Sequence, residues 1–197
     1  MESVFIDMYM KYLSKGFTLI ELLIVIAVLG VLVTAVLVAL NPLEQLRRAN
    51  DSGRINSVSQ IGNAVQAFYT AQGATFPTAT GGFQTTLKNS GELSNVVTVT
   101  AATAGVCAPT ASALLGMEGN VCYQADSVTA GAGTDSTVWT VLDSKSEYNR
   151  SNCTVALPIP VAVWNFELGK TGIMCVATAT TNPGLVLTAG SAANQIK

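Results

Sequence analysis

The chain has 197 residues, of which 11% are charged, and ten basic and twelve acidic side chains leave a formal net charge of −2. It contains no histidine, which excludes imidazole-based metal sites and Ser-His-Asp or Cys-His catalysis, and its charge balance supplies no overall basic field for nucleic acid. The mean hydropathy of +0.43 is high for a soluble protein, and the excess sits near the N-terminus.

A short polar stretch, residues 1–16, carries Lys11 and Lys15 close to its end. From Phe17 to Leu40 the chain runs FTLIELLIVIAVLGVLVTAVLVAL, with Glu21 as its single charge. As a helix this run would be about 36 Å long, enough to cross a hydrocarbon core of about 30 Å. It is too long for the apolar region of an ordinary secretory signal. Basic residues flank both ends, Lys11 and Lys15 on one side and Arg47, Arg48 and Arg54 on the other, so charge alone sets no orientation. Gly30 with Thr34, and Ala35 with Ala39, place small residues four apart and permit close helix packing.

Glu21 is the informative residue. A lone carboxylate inside an apolar helix costs about 3 kcal/mol, and such groups are functional by default. A plain anchor has no use for it. Cleavage between Gly16 and Phe17 would create an α-amino group one helical turn away, able to neutralise Glu21 in the same chain or in a neighbour. An anion in the first turn also faces the positive end of the helix dipole. A buried pair of this kind is a good device for setting register between packed helices.

Lys15-Gly16 followed by FTLIELLIVIAVLG resembles the class III signal of type IV prepilins and type II secretion pseudopilins. The likeness is close over roughly residues 15–40 and holds in pattern only over 41–72. It implies that a prepilin peptidase cuts after Gly16 and N-methylates Phe17, and that Glu21 with Phe17 guides docking of one subunit on the next. It also implies a single-pass precursor in the cytoplasmic membrane, and a pilus assembly machinery that turns it into an extracellular filament.

Beyond the apolar run, Asn41-Pro42 is expected to kink the helix at Pro42 without necessarily ending it. Leu43, Leu46, Ile55, Val58, Ile61, Val65, Phe68 and Tyr69 recur mostly at steps of three and four. Glu44, Arg47, Arg48, Asp51 and Arg54 take other faces. This predicts an amphipathic helix to about Ala71, packed on a globular domain by one stripe, with Gly73 as its C-cap. Asn41-Pro42 and Gly53 mark its weak stretch, a candidate for unwinding when subunits pack.

From residue 73 the texture changes. Phe76-Pro77 and Gly81-Gly82 read as loop, and Leu87–Leu93 as a short helical turn. Short β-type runs follow at Val96–Thr100, Val121–Gln124, Val138–Leu142, Val161–Phe166, Ile173–Thr178 and Leu185–Thr188. Turn residues separate several of them, including Leu168–Gly172, and the last three runs suit an antiparallel meander.

Cys107, Cys122, Cys153 and Cys175 allow three pairings. They point to an oxidising compartment and structural disulfides. Sequential pairing, Cys107–Cys122 and Cys153–Cys175, would add roughly 3 kcal/mol per bridge. The pilin resemblance implies a C-terminal disulfide loop, which Cys153–Cys175 would supply. No CxxC element suggests zinc.

The remaining acids are scattered. Asp126 and Asp135 flank a Gly-rich loop and have the oxygen chemistry for calcium, which some pseudopilins bind in C-terminal loops, but a solvated turn accounts for them and no metal site is assigned. Lys145, Arg150 and Lys170 make a poor footprint for DNA. No nucleophile, base and orienting group assemble into a catalytic set.

The expected architecture is α+β and type IV pilin-like. A removed leader, 1–16, precedes a transmembrane and filament-core helix, 17–40. The amphipathic helix 41–72 continues after the kink and packs on an antiparallel β-sheet head, 73–197, with two disulfides. The expected function is a non-enzymatic structural subunit without cofactors. It would polymerise with itself into a pilus used for adhesion, twitching motility or DNA uptake, where a host or neighbouring-cell surface is a possible partner. A minor pilin or a secretion pseudopilin is the alternative within this class. An uncleaved, membrane-anchored binding domain is the alternative outside it.

Overall fold

The computed structural model describes residues 16–78, 82–102, 115–125, 135–151, 153–156 and 158–176. The chain separates into two compact units that meet at Pro42 and Leu43.

The first unit contains helix α1, Leu19–Leu40, in which no residue is buried. Every face is apolar, as expected of a helix whose partners are lipid or other helices. It ends where Asn41 adopts the left-handed conformation, φ 42° and ψ 69°. Helix α2, Pro42–Ala71, starts at the next residue. The expected kink is therefore a break between two helices. Proline opens the second of them, where its missing N–H is no loss.

In the second unit α2 buries Asp51, Arg54, Val58, Ile61, Gly62, Ala64, Val65 and Phe68. Gly53 lies within the helix without interrupting it. Gly73, at φ +67°, follows the end of the helix, and Ala74 N–H bonds back to Tyr69 C=O at 2.9 Å. The expected stripe needs two corrections. Leu43 and Leu46 are exposed, while Asp51 and Arg54, assigned to other faces, are buried. Asp51 and Arg54 are buried because the head offers them polar backbone, at Asp143, Ser144 and Thr100, rather than apolar side chain.

Five strands form one antiparallel meander in the order β1-β2-β3-β4-β5. They are β1 Leu115–Glu118, β2 Val121–Ala125, β3 Ser136–Val141, β4 Ile159–Asn165 and β5 Lys170–Val176. Two short helices accompany them: α3, Phe83–Asn89, before the sheet, and α4, Lys145–Arg150, between β3 and β4. Register places Tyr123 opposite Val138, Val138 opposite Trp164 and Trp164 opposite Thr171.

Alternation along these strands builds two apolar clusters, one on each face. Tyr123, Val138, Ala162 and Trp164 pack with Val58, Ile61, Val65 and Phe68 of α2. Cys122, Trp139, Val141, Val161, Val163, Met174 and Val176 form the other cluster. Gly62 fixes the approach of α2 to the sheet: a Cβ there would lie 2.2 Å from the Trp164 ring. Tyr69, Phe76 and Phe166 close one end, with ring centroids 4.6–5.0 Å apart.

Several expectations shift. The run Val96–Thr100 is not a strand. The Gln84 side chain takes both backbone groups of Val97, at 2.8 and 3.2 Å, and Val99 N–H bonds to Gly119 C=O at 2.9 Å. The short helix begins four residues earlier than Leu87, because the Glu118 carboxylate receives the N–H groups of Gln84 and Thr85 at 2.7 and 3.0 Å. The expected turn Leu168–Gly172 is shorter, since β5 already starts at Lys170. Strand β1 and helix α4 fall outside the expected elements. Leu185–Thr188 lies outside the described residues.

Candidate processing and assembly site

Gly16, Phe17 and Thr18 precede α1 and belong to no helix or strand. The Gly16–Phe17 bond therefore sits in irregular chain directly ahead of a helix. Nothing lies within 4 Å of a Cβ placed on Gly16, and Phe17 is 84% exposed.

Thr18 is the N-cap of α1 and forms a complete capping box with Glu21. Glu21 Oε2 accepts from Thr18 N–H at 2.9 Å and from Thr18 Oγ1 at 2.8 Å. Thr18 Oγ1 in turn accepts from Glu21 N–H at 3.3 Å. Two N–H groups that no intrahelical acceptor reaches are thus satisfied at the entrance of the helix. The sequence reasoning singled out Glu21 and missed Thr18, although Thr-x-x-Glu before an apolar run is a capping-box signature. The carboxylate is held at the first turn, one turn from the backbone nitrogen of Phe17.

Behind this cap α1 is long and apolar enough to cross a membrane. Thr34, its main polar interruption, returns its hydroxyl to Val31 C=O at 2.8 Å. The helix therefore presents no unsatisfied hydroxyl to an apolar surrounding.

The prokaryotic N-terminal methylation motif matches residues 12–37. The N-terminus of this chain is a type IV pilin-like class III signal. The match spans Gly16, Phe17, Thr18 and Glu21 together with most of α1, and such a signal is common to pilin-like proteins and pseudopilins. No curated protein and no solved structure matches the chain. The signal and the apolar helix fit a membrane-anchored precursor.

The other residues singled out in the sequence have separate places. Pro42 opens α2. Cys153 and Cys175 are bonded, with their Cα atoms 5.5 Å apart, and join the segment after α4 to β5. Cys122, on β2, is also disulfide-bonded, and Cys107 lies outside the described residues. Asp135 accepts from Asn165 Nδ2 at 2.8 and 3.0 Å and from Ser136 N–H at 2.8 Å, so it ties the start of β3 to the end of β4. Asp126 lies outside the described residues. No cluster of three potential metal ligands occurs among the described residues. Arg150 pairs with Glu147 at 3.7 Å.

A buried ionic cluster joins α2 to the head. Arg54 reaches Asp51 at 2.7 Å, Asp143 at 3.2 Å and Thr100 C=O at 3.0 Å. Asp51 also accepts the backbone N–H groups of Asp143 and Ser144, at 3.0 and 2.7 Å. Glu44 accepts from Ser146 N–H at 3.2 Å. Buried charges persist when paired and fully hydrogen-bonded in this way. They dock one specific turn of α2 onto the loop between β3 and α4.

Proposed function

We propose that this chain is a structural, non-enzymatic subunit of a type IV pilus, and within that class the major pilin. The observation that supports it most strongly is the junction at residues 16–21. A class III signal leads, through a capped carboxylate, into a 22-residue helix that buries nothing among the described residues. Such a helix requires an apolar surrounding supplied from outside.

In this reading residues 1–16 are the leader and stay on the cytoplasmic side. The prepilin peptidase cuts after Gly16 and methylates the Phe17 nitrogen. α1 rests in the cytoplasmic membrane until the assembly machinery moves it into a bundle of identical helices. Lipid is exchanged for neighbouring apolar helices, so extraction need not expose α1 to water. Before cleavage Glu21 is engaged by Thr18. Afterwards the Phe17 amine of a neighbouring copy becomes its stronger, charged partner and sets the axial step. The head is displayed on the extracellular fibre, in service of adhesion to a host or neighbouring cell, twitching motility or DNA uptake.

Subunit stoichiometry in fibres sheared from the native cell surface tests the assignment. A major pilin is the dominant polypeptide of those fibres. Trace amounts would assign the chain to the minor pilins. Retention in the membrane fraction, with fibres lacking it, would assign it to the pseudopilins.

A further inference from the structure

We propose that the two ends of β4 carry the two halves of a contact between heads of neighbouring copies. The Glu167–Leu168 turn of one copy seats in a hollow at the start of β4 of the next. This inference rests on the filament reading above.

The hollow has a volume of about 350 Å³ and is lined by Leu142, Tyr148, Pro158, Ile159 and Pro160, with Lys145 among its walls. Its surface is thus mainly aliphatic, proline and aromatic carbon with one cation. Lys145 is exposed and forms no ion pair among the described residues. Asp143, which also lines the hollow, turns its carboxylate toward Arg54 at 3.2 Å, so its charge is already engaged.

The turn beyond the other end of β4 has the matching chemistry. Leu168 is 49% exposed beside the exposed Glu167. The turn is held by Leu168 N–H on Asn165 Oδ1 at 2.9 Å and Gly169 N–H on Asn165 C=O at 3.0 Å. Glu167 N–H bonds to Asp135 at 3.2 Å. A knob fixed in this way loses little conformational freedom on binding.

The two features cannot meet within one copy. β4 has seven residues, which at about 3.3 Å per step separates its ends by about 20 Å. A knob and a hollow on different patches of one molecule form a heterologous contact, which propagates into an open helical polymer when the rotation does not close a ring. The charges single out a second copy as the occupant: Glu167 on the knob is opposite in sign to Lys145 at the hollow.

The test uses the full-length chain in its native cell, with Lys145→Glu, Glu167→Lys and the double variant. Each single reversal is expected to lower the yield of sheared fibres about tenfold, and the double variant to restore it, as for a partly desolvated charge pair. Leu168→Asp is expected to lower the yield and Leu168→Met to preserve it. Protease resistance of the membrane-held precursor reports that the head of each variant is folded; all of these substitutions are at exposed positions. Folded single variants that assemble normally, or a double variant that stays defective, would overturn the contact while leaving the filament reading intact. Normal fibre yield with lost attachment to a surface would assign the hollow to an external ligand and also overturn the contact. If the unaltered chain forms no fibres and keeps residues 1–16, the filament reading fails and this inference fails with it.

Discussion

Helix α1 buries none of its 22 residues, whereas the adjoining α2 buries eight of its 30. The difference lies in where each helix finds its partners. α2 meets the sheet of its own chain, through Gly62 against Trp164 and through the Asp51–Arg54–Asp143 cluster. α1 is apolar on every face, and none of its residues is buried among the described residues. A water-soluble protein would not tolerate that surface. One helix therefore finds its partners within its own unit, and the other offers an apolar surface to lipid or to other helices. Asn41, left-handed at the end of α1, marks the boundary between the two.

That contrast can be broken at either helix, and the effects should appear in different measurements. The largest effect is expected from Glu21→Ala. In the proposed filament it leaves the Phe17 amine of a neighbouring copy without its charged partner, and fibre yield should fall by at least about a hundredfold. The variant should remain membrane-inserted, with an unchanged melting temperature of the head. Normal fibre yield would show that Glu21 does not guide docking.

Arg54→Ala should do the reverse. It leaves Asp51 buried without its cation, and about 3 kcal/mol of head stability should be lost, seen as a lower melting temperature in the near-ultraviolet signal of Trp139 and Trp164. Processing at Gly16 should be unaffected, because the site lies in the other unit. A melting temperature equal to that of the unaltered chain would mean that the cluster contributes no net stability.

The smallest effect is expected from Thr18→Ala. Loss of an N-cap costs about 1 kcal/mol, confined to the first turn of α1. Amide exchange in detergent should rise at Leu19, Ile20 and Glu21 and stay unchanged beyond the middle of the helix. Uniform protection along α1 would show that the capping box does not hold this turn.

The same division governs how far the sequence could be read. α1 and the signal that opens it were legible because their information is local: an unbroken apolar run with one carboxylate in its first turn. The strands β2 to β5 were legible from short apolar runs between turn residues. β1 was missed because Leu-Gly-Met-Glu has little strand character, although Gly119-Asn120 is a hairpin dipeptide and both residues have positive φ here. α4 was missed although Ser144 and Glu147 have N-cap spacing.

The ionic cluster was not legible, because Asp51 and Asp143 are 92 residues apart and only tertiary structure brings them together. Reading Asp51 and Arg54 as solvated charges followed the usual preference for exposure. The polar loop that buries them overrides it. Val96–Thr100 failed as a strand for a related reason. A fully buried glutamine, Gln84, supplies the hydrogen bonds that a neighbouring strand would have made.

We propose that α1 leaves the membrane and packs with copies of itself after cleavage at Gly16. Mass spectrometry of the N-terminal peptide from fibres sheared off the native cell surface tests it most directly. The expected peptide begins at Phe17 and carries an N-methyl group. A peptide that retains residues 1–16 would contradict it and leave α1 as an uncleaved anchor.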